Sequence, residues 1–240
     1  MSSKGRTAVA SRPERTAVGT RHAVVMMVAG LLVGLFWASR PEWVADMRLW
    51  RAVGDAAFVL LAAGLALGPV AKLSVTAGRL LPWRRQLGVW AALVAALHAL
   101  LVLSGWARWD LGRLFGFEYI PQLGYVARWE PGFGLANLIG LVALGWLLVL
   151  AATSTDRALR GLGPAAWKWL HSGAYTVFHL SLLHSAYFLF LHYTLSFHKN
   201  PPEPNWFRLP LVVLGATVLI LQMVAFASLV RRRAARTAGV

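Results

Sequence analysis

The chain has 240 residues, 58% of them apolar and only 14% charged, with a formal charge of +15. These proportions exclude an ordinary soluble domain of this length and point to an integral membrane protein. The basic excess would suit nucleic acid, but Lys and Arg bracketing apolar spans are what membrane topology alone produces, so no nucleic-acid partner is expected and the lipid bilayer is. Cysteine is absent, which excludes disulfides, thiolate metal sites, iron–sulfur clusters and thiol catalysis together. Any metal or redox centre must therefore rest on histidine.

A basic tail at 1–22 is followed by six apolar stretches, at 23–39, 54–71, 86–105, 132–152, 170–193 and 209–230, and by a second basic tail at 231–240. Each stretch is near the roughly 20 residues that cross a bilayer. The expected fold class is thus an all-α integral membrane protein, with six transmembrane helices bundled over 23–230. The first stretch runs into Ser39, Arg40, Pro41 and Glu42 without a small-residue cleavage signature, so it is read as a retained helix and not a removed leader. No internal repeat is evident.

Orientation follows from the basic residues. The side holding both tails and the 72–85 and 153–169 loops carries 16 Lys and Arg, against 8 on the other side, and its only acids are Glu14 and Asp156. The positive-inside rule puts both termini in the cytoplasm. Trp83, Trp106, Trp109, Trp129, Trp167, Trp169 and Trp206 fall near span ends, where indole favours the headgroup region, and are read as anchors.

The histidines can be placed by depth. His98 lies thirteen residues past Arg85, about 19 Å along a helix, and His184 lies thirteen past His171, which sits at the cytoplasmic edge. His98 and His184 therefore share one level in the outer half of the bilayer. His179 falls near the midplane, His192 at the outer edge, and His22 and His198 in solvent. Ionisable groups at depth are expensive and read as functional by default. Two at one depth on different helices suggest a shared ligand, and a haem iron between two neutral imidazoles accounts for the pair best. Zinc would want further ligands, and no Asp or Glu lies in spans three or five. A proton relay would usually include a buried carboxylate, and none is expected.

The run "RRQLGVWAALVAALH" (Arg84 to His98), the "TST" at Thr153 to Thr155, and "LGPAAWKWLHSGAY" (Leu162 to Tyr175) followed by His184 resemble the ferric reductase-like transmembrane domain family. Within it they are most similar to the haem-binding membrane subunits of periplasmic methionine sulfoxide reductase systems. The resemblance covers roughly 84–190. It implies b-type haem, one or two, with His98, His171 and His184 at the ligand positions. It also implies an electron-transfer subunit, not a complete enzyme, passing electrons from a quinol or a cytoplasmic flavin donor to a periplasmic molybdenum-containing reductase. A quinone or FMN is then a further candidate cofactor. The chain departs from the pattern in its long segment between spans three and four and in His179 and His192.

Several points stay open at this level. A second haem at His171 would need an unusual partner, such as His22 or a non-histidine ligand. Arg84 and Arg85 fit either haem propionates or topology anchors. Thirteen residues leave His171 and His184 about 220° apart around an ideal helix, an angle that a π-bulge or kink would reconcile. No Gly-rich phosphate loop is seen, and the chain ends at "RRRAARTAGV", so flavin or nicotinamide chemistry is expected from another polypeptide. The alternatives are a stand-alone ferric, metal or oxygen reductase component, and a haem-free polytopic transporter or scaffold.

Overall fold

The computed structural model describes residues 12–128, 130–192 and 205–238. Trp129 and His198, and residues 1–11 of the first basic tail, lie outside the described residues. The elements are α1 (Arg12–Ala38), α2 (Ala45–Leu73), a 3₁₀ turn (Thr76–Trp83), α3 (Arg84–Leu101), α4 (Leu111–Leu114), β1 (Phe117–Ile120), β2 (Tyr125–Arg128), α5 (Pro131–Ala152), α6 (Asp156–Ser172), α7 (Ala174–Ala186) and α8 (Arg208–Ala238). Five-residue π turns, Val102–Trp106 and Tyr187–Leu191, continue α3 and α7.

Among the described residues, six helical stretches are long and apolar enough to cross a membrane: Thr16–Ala38, Ala45–Leu73, Thr76–Trp106, Gly132–Ala152, Asp156–Leu191 and Arg208–Thr237. Each contains or overlaps one of the six apolar stretches. The protein is an all-α integral membrane protein. Helix continues into both basic segments, because a helix satisfies its own backbone while long Arg side chains reach back to water.

Half of the most apolar window of α2 is buried inside the protein, against 17–28% in the other five spans, so α2 is the central helix. It packs on α1, α3, α7 and α8. In lipid this packing is driven by close contact more than by the hydrophobic effect, and α2 supplies the small residues it needs. Ala52, Ala56 and Gly64 are buried, as are Ala91 and Ala92 of α3. Phe58 of α2 stacks on Phe178 of α7 at 5.3 Å. Side chains such as Leu209 and Phe226 of α8 stay about two-thirds exposed, as a lipid-facing surface should.

The expected loop at 153–169 is instead largely helix. Thr155 caps α6 by accepting from the Ala158 N–H at 3.0 Å, and the helix kinks at Gly163, whose φ of 76° precedes Pro164. Proline removes a donor there, and glycine takes the left-handed conformation without steric cost. Exposed Leu159, Leu162 and Trp169 alternate with Arg157, Arg160 and Lys168, which is the pattern of a helix lying in the membrane interface. Span finding by hydropathy passes over such segments.

Arg85 pairs with Asp156 at 2.9 Å, with 43% and 72% of the two side chains exposed. A pair this wet contributes little, so Asp156→Asn is expected to cost less than about 1 kcal/mol, read as an almost unchanged thermal midpoint in detergent.

On the face opposite the chain ends, between α3 and α5, β1 and β2 form an antiparallel hairpin in which Phe117 pairs with Arg128 and Ile120 with Tyr125.

Candidate functional site

A cavity of about 850 Å³ opens between α2, α3, α5 and α7 on the hairpin side of the bundle. His98 enters it from α3 and His184 from α7. Their ring centres lie 6.4 Å apart with planes at 77°. Nδ1 of His98 is 2.8 Å from the carbonyl oxygen of Trp50, and Nδ1 of His184 is 2.8 Å from that of Ala136. A carbonyl can only accept, so each Nδ1 carries the proton and each Nε2 keeps an available lone pair.

Close helix approach makes this possible. A Cβ on Gly54 would stand 3.0 Å from the His98 ring, and one on Gly140 would stand 2.6 Å from Nδ1 of His184. Only glycine lets these helices carry the imidazoles at such range. The ring separation suits one metal held from both sides. Two metal–nitrogen bonds of about 2.0 Å, each continued by roughly 1.1 Å to the ring centre, span close to 6.2 Å. No group of three or more His, Cys, Asp or Glu able to hold a metal ion exists among the described residues.

The other sequence candidates lie elsewhere. His171 sits toward the terminus-bearing face, with Nε2 3.2 Å from Thr153 Oγ1 and its ring stacked on Trp167 at 3.9 Å. Trp167 in turn donates to the Thr153 carbonyl at 2.9 Å. Arg84 lies against Gly68, and Arg85 is engaged with Asp156. None of the three lines the cavity. The 220° angle between His171 and His184 is not closed by a π-bulge, since the helix breaks at Gly173 and the π turn follows His184. His171 and His184 simply face different places. His179 is exposed and bonds the carbonyl one turn back, at Tyr175.

The expectation of no buried carboxylate is corrected. Asp55 of α2 and Glu130 both line the cavity. Asp55 was legible, as a carboxylate inside the apolar run that begins at Gly54. Glu130 was not, because it belongs to the segment between spans and only the fold brings it in. Glu130 is 4% exposed. It accepts from the Tyr187 hydroxyl at one oxygen, and Nδ1 of His192 lies 2.8 Å from the other. Burial pushes its carboxyl above the usual carboxylate range, and the Tyr187 bond opposes this in part. Arg51 also lines the cavity, with its guanidinium 5.5 Å from the Phe188 ring. Trp106, expected only as an anchor, packs on Phe133 at 4.7 Å in the cavity wall.

Comparison with known proteins adds the family. The model of the ferric reductase like transmembrane component matches residues 53–182, more than half of the chain. The magnetosome protein MamZ of Paramagnetospirillum magneticum (strain ATCC 700264 / AMB-1) is 30% identical over 165 residues, 68% of this chain and 22% of that protein. The chain thus spans about a fifth of the length of MamZ. The protein-methionine-sulfoxide reductase heme-binding subunit MsrQ of Bordetella pertussis (strain Tohama I) is 31% identical over 165 residues, 67% of this chain and 73% of that protein. The MsrQ of Ralstonia nicotianae is 31% identical over 134 residues, 56% of this chain and 55% of that protein. The family match contains Gly54, His98 and Gly140 and stops two residues short of His184, so with the fold and the histidine pair already in place, the chain belongs to the ferric reductase-like transmembrane component family.

Proposed function

We propose that this protein is a membrane electron-transfer subunit holding b-type haem between His98 and His184. The observation that carries the reading is the imidazole pair, 6.4 Å apart across an apolar cavity, with both Nδ1 atoms tied to carbonyls and both Nε2 atoms left to bind. The MsrQ relatives are named as haem-binding subunits, which supports the same cofactor. When bound, haem supplies a one-electron couple.

The chain's own residues do the rest. The carbonyls of Trp50 and Ala136 fix ring tautomer and orientation. Phe58, Leu61, Leu144 and Leu147 line the cavity with apolar surface that excludes water. Arg51 brings a positive charge into the wall of the same cavity. Glu130, with Tyr187 and His192, can hold or release a proton at the cavity rim.

In this reading both termini are cytoplasmic and the hairpin faces the periplasm of a bacterial inner membrane. Electrons come from a quinol or a cytoplasmic flavin donor and leave to a periplasmic molybdenum-containing reductase of the methionine sulfoxide type. The two-haem form of the reading puts a second haem at His171, near Arg84 and Arg85.

The test is a reduced-minus-oxidised spectrum of the full chain, purified in detergent after expression with ample haem, with pyridine haemochrome quantification. A b-type α-band is expected, and the haem-to-protein ratio decides between one and two. A colourless protein would overturn the reading and leave a haem-free scaffold or transporter.

A further inference from the structure

The α2–α3 pair and the α5–α7 pair are two copies of one arrangement. In each, a histidine Nδ1 meets a carbonyl 48 residues earlier at 2.8 Å. Four residues after each acceptor stands a glycine, Gly54 or Gly140, facing the same ring edge of Nδ1, Cε1 and Cγ. The differences 184 − 98, 136 − 50 and 140 − 54 all equal 86. The same shift runs through the cavity wall. Of the fourteen wall residues supplied by α2, α3 and its π turn, thirteen have another wall residue 86 positions later. Each histidine helix also passes into a π turn three or four residues beyond the histidine.

Packing obeys the relation too. Alongside α2 on α3 and α5 on α7, the crossed pairs α3 with α5 and α2 with α7 are in contact, as a two-fold axis between the imidazoles requires. The second and fourth crossings run one way and the third and fifth the other, so the copies are parallel and the axis lies along the membrane normal. This corrects the expectation of no internal repeat.

We infer that the site is a tandem pair of half-sites, each made of a helix carbonyl, the glycine four residues on, and a histidine. Together they present two equivalent imidazoles to the two faces of one planar metal macrocycle on the axis. The inference rests on the haem reading above and adds the residues that orient the ligands. In a helix the carbonyl at one position already accepts from the N–H four residues later. Glycine at that later position leaves the second lone pair open to a side chain from a neighbouring helix. Matched bonds of this kind give both rings the same tautomer and similar basicity. The copies diverge around the rim, where Arg51 corresponds to Asn137, Asp55 to Leu141 and Trp106 to His192. The halves are alike at the metal and unlike about it, so the cofactor can be held symmetrically and still bind in one orientation.

The experiment is electron paramagnetic resonance and redox titration of the oxidised full chain, wild type beside Gly54→Ala and Gly140→Ala. Ring planes at 77° are expected to give the strongly anisotropic low-spin signal of perpendicular axial imidazoles. Both variants should shift that signal and the midpoint potential in the same direction. Gly140→Ala should shift them more, since its Cβ meets the ring at 2.6 Å and not 3.0 Å, and the double variant should lose most of its haem. A wild-type signal of parallel imidazole planes would overturn the inference without recourse to any variant. So would one glycine variant that behaves as wild type while the other loses haem. A colourless wild type would instead overturn the haem reading on which this one rests.

Discussion

His98→Ala and His184→Ala are each expected to lose the b-type α-band, with haem content falling by a factor of at least about 10 to 100. That is the range seen when only an outer-shell partner of a metal ligand is removed, and here the ligand itself goes. The two losses should be similar, because each imidazole has the same anchor, a carbonyl at 2.8 Å. Removing one leaves a void where its ring stood, so added imidazole should enter and restore part of the band. Partial rescue separates a missing ligand from a misfolded bundle. His171→Ala is the control. Its ring lies against Thr153 and Trp167, away from the cavity, so the band from the His98 and His184 site should survive. Wild-type spectra in both cavity variants would refute the assignment of the pair.

What the sequence revealed and what it hid divide along physical lines. Depth was legible, since a helix rises a fixed 1.5 Å per residue and Arg85 and His171 mark where counting starts. That arithmetic put His98 and His184 on one level, and the structure brings their rings within 6.4 Å. Azimuth was less legible over the same distance, because one helix ends at Ser172 and the next begins at Ala174, between His171 and His184. The repeat escaped notice because a half-site constrains few side chains. A carbonyl serves as well from Trp50 as from Ala136, so only Gly and His must recur. Glu130 escaped because its place in the cavity depends on how the hairpin segment folds back, which no local pattern encodes. The helix at 156–172 looked like a loop because half of its face is charged.

Arg40→Met is expected to destabilise the protein by about 3–5 kcal/mol, the cost of stripping one partner from a buried ion pair. Arg40 is 1% exposed. It donates to Asp55 at 2.5 Å, to the Asn205 side chain at 2.9 and 3.1 Å, and to the Phe36 carbonyl at 3.3 Å. One guanidinium thus ties the end of α1, the middle of α2 and the start of α8. Without it, Asp55 keeps a carboxylate in the cavity wall with its nearest counter-charge gone. Arg40→Lys should fall between, because an ammonium keeps the charge but not the planar fork that reaches three acceptors. The double variant Arg40→Met, Asp55→Leu removes both charges and should recover most of the loss, since an apolar replacement of a buried pair is often neutral. Thermal midpoints in detergent for Arg40→Met, Asp55→Leu and the double variant complete the cycle that reports the coupling. Strict additivity would show that the two side chains do not act as a pair. Recovery with an unchanged haem spectrum would show that the pair fixes the register of α1, α2 and α8 and leaves the ligand cradle to the glycines and histidines.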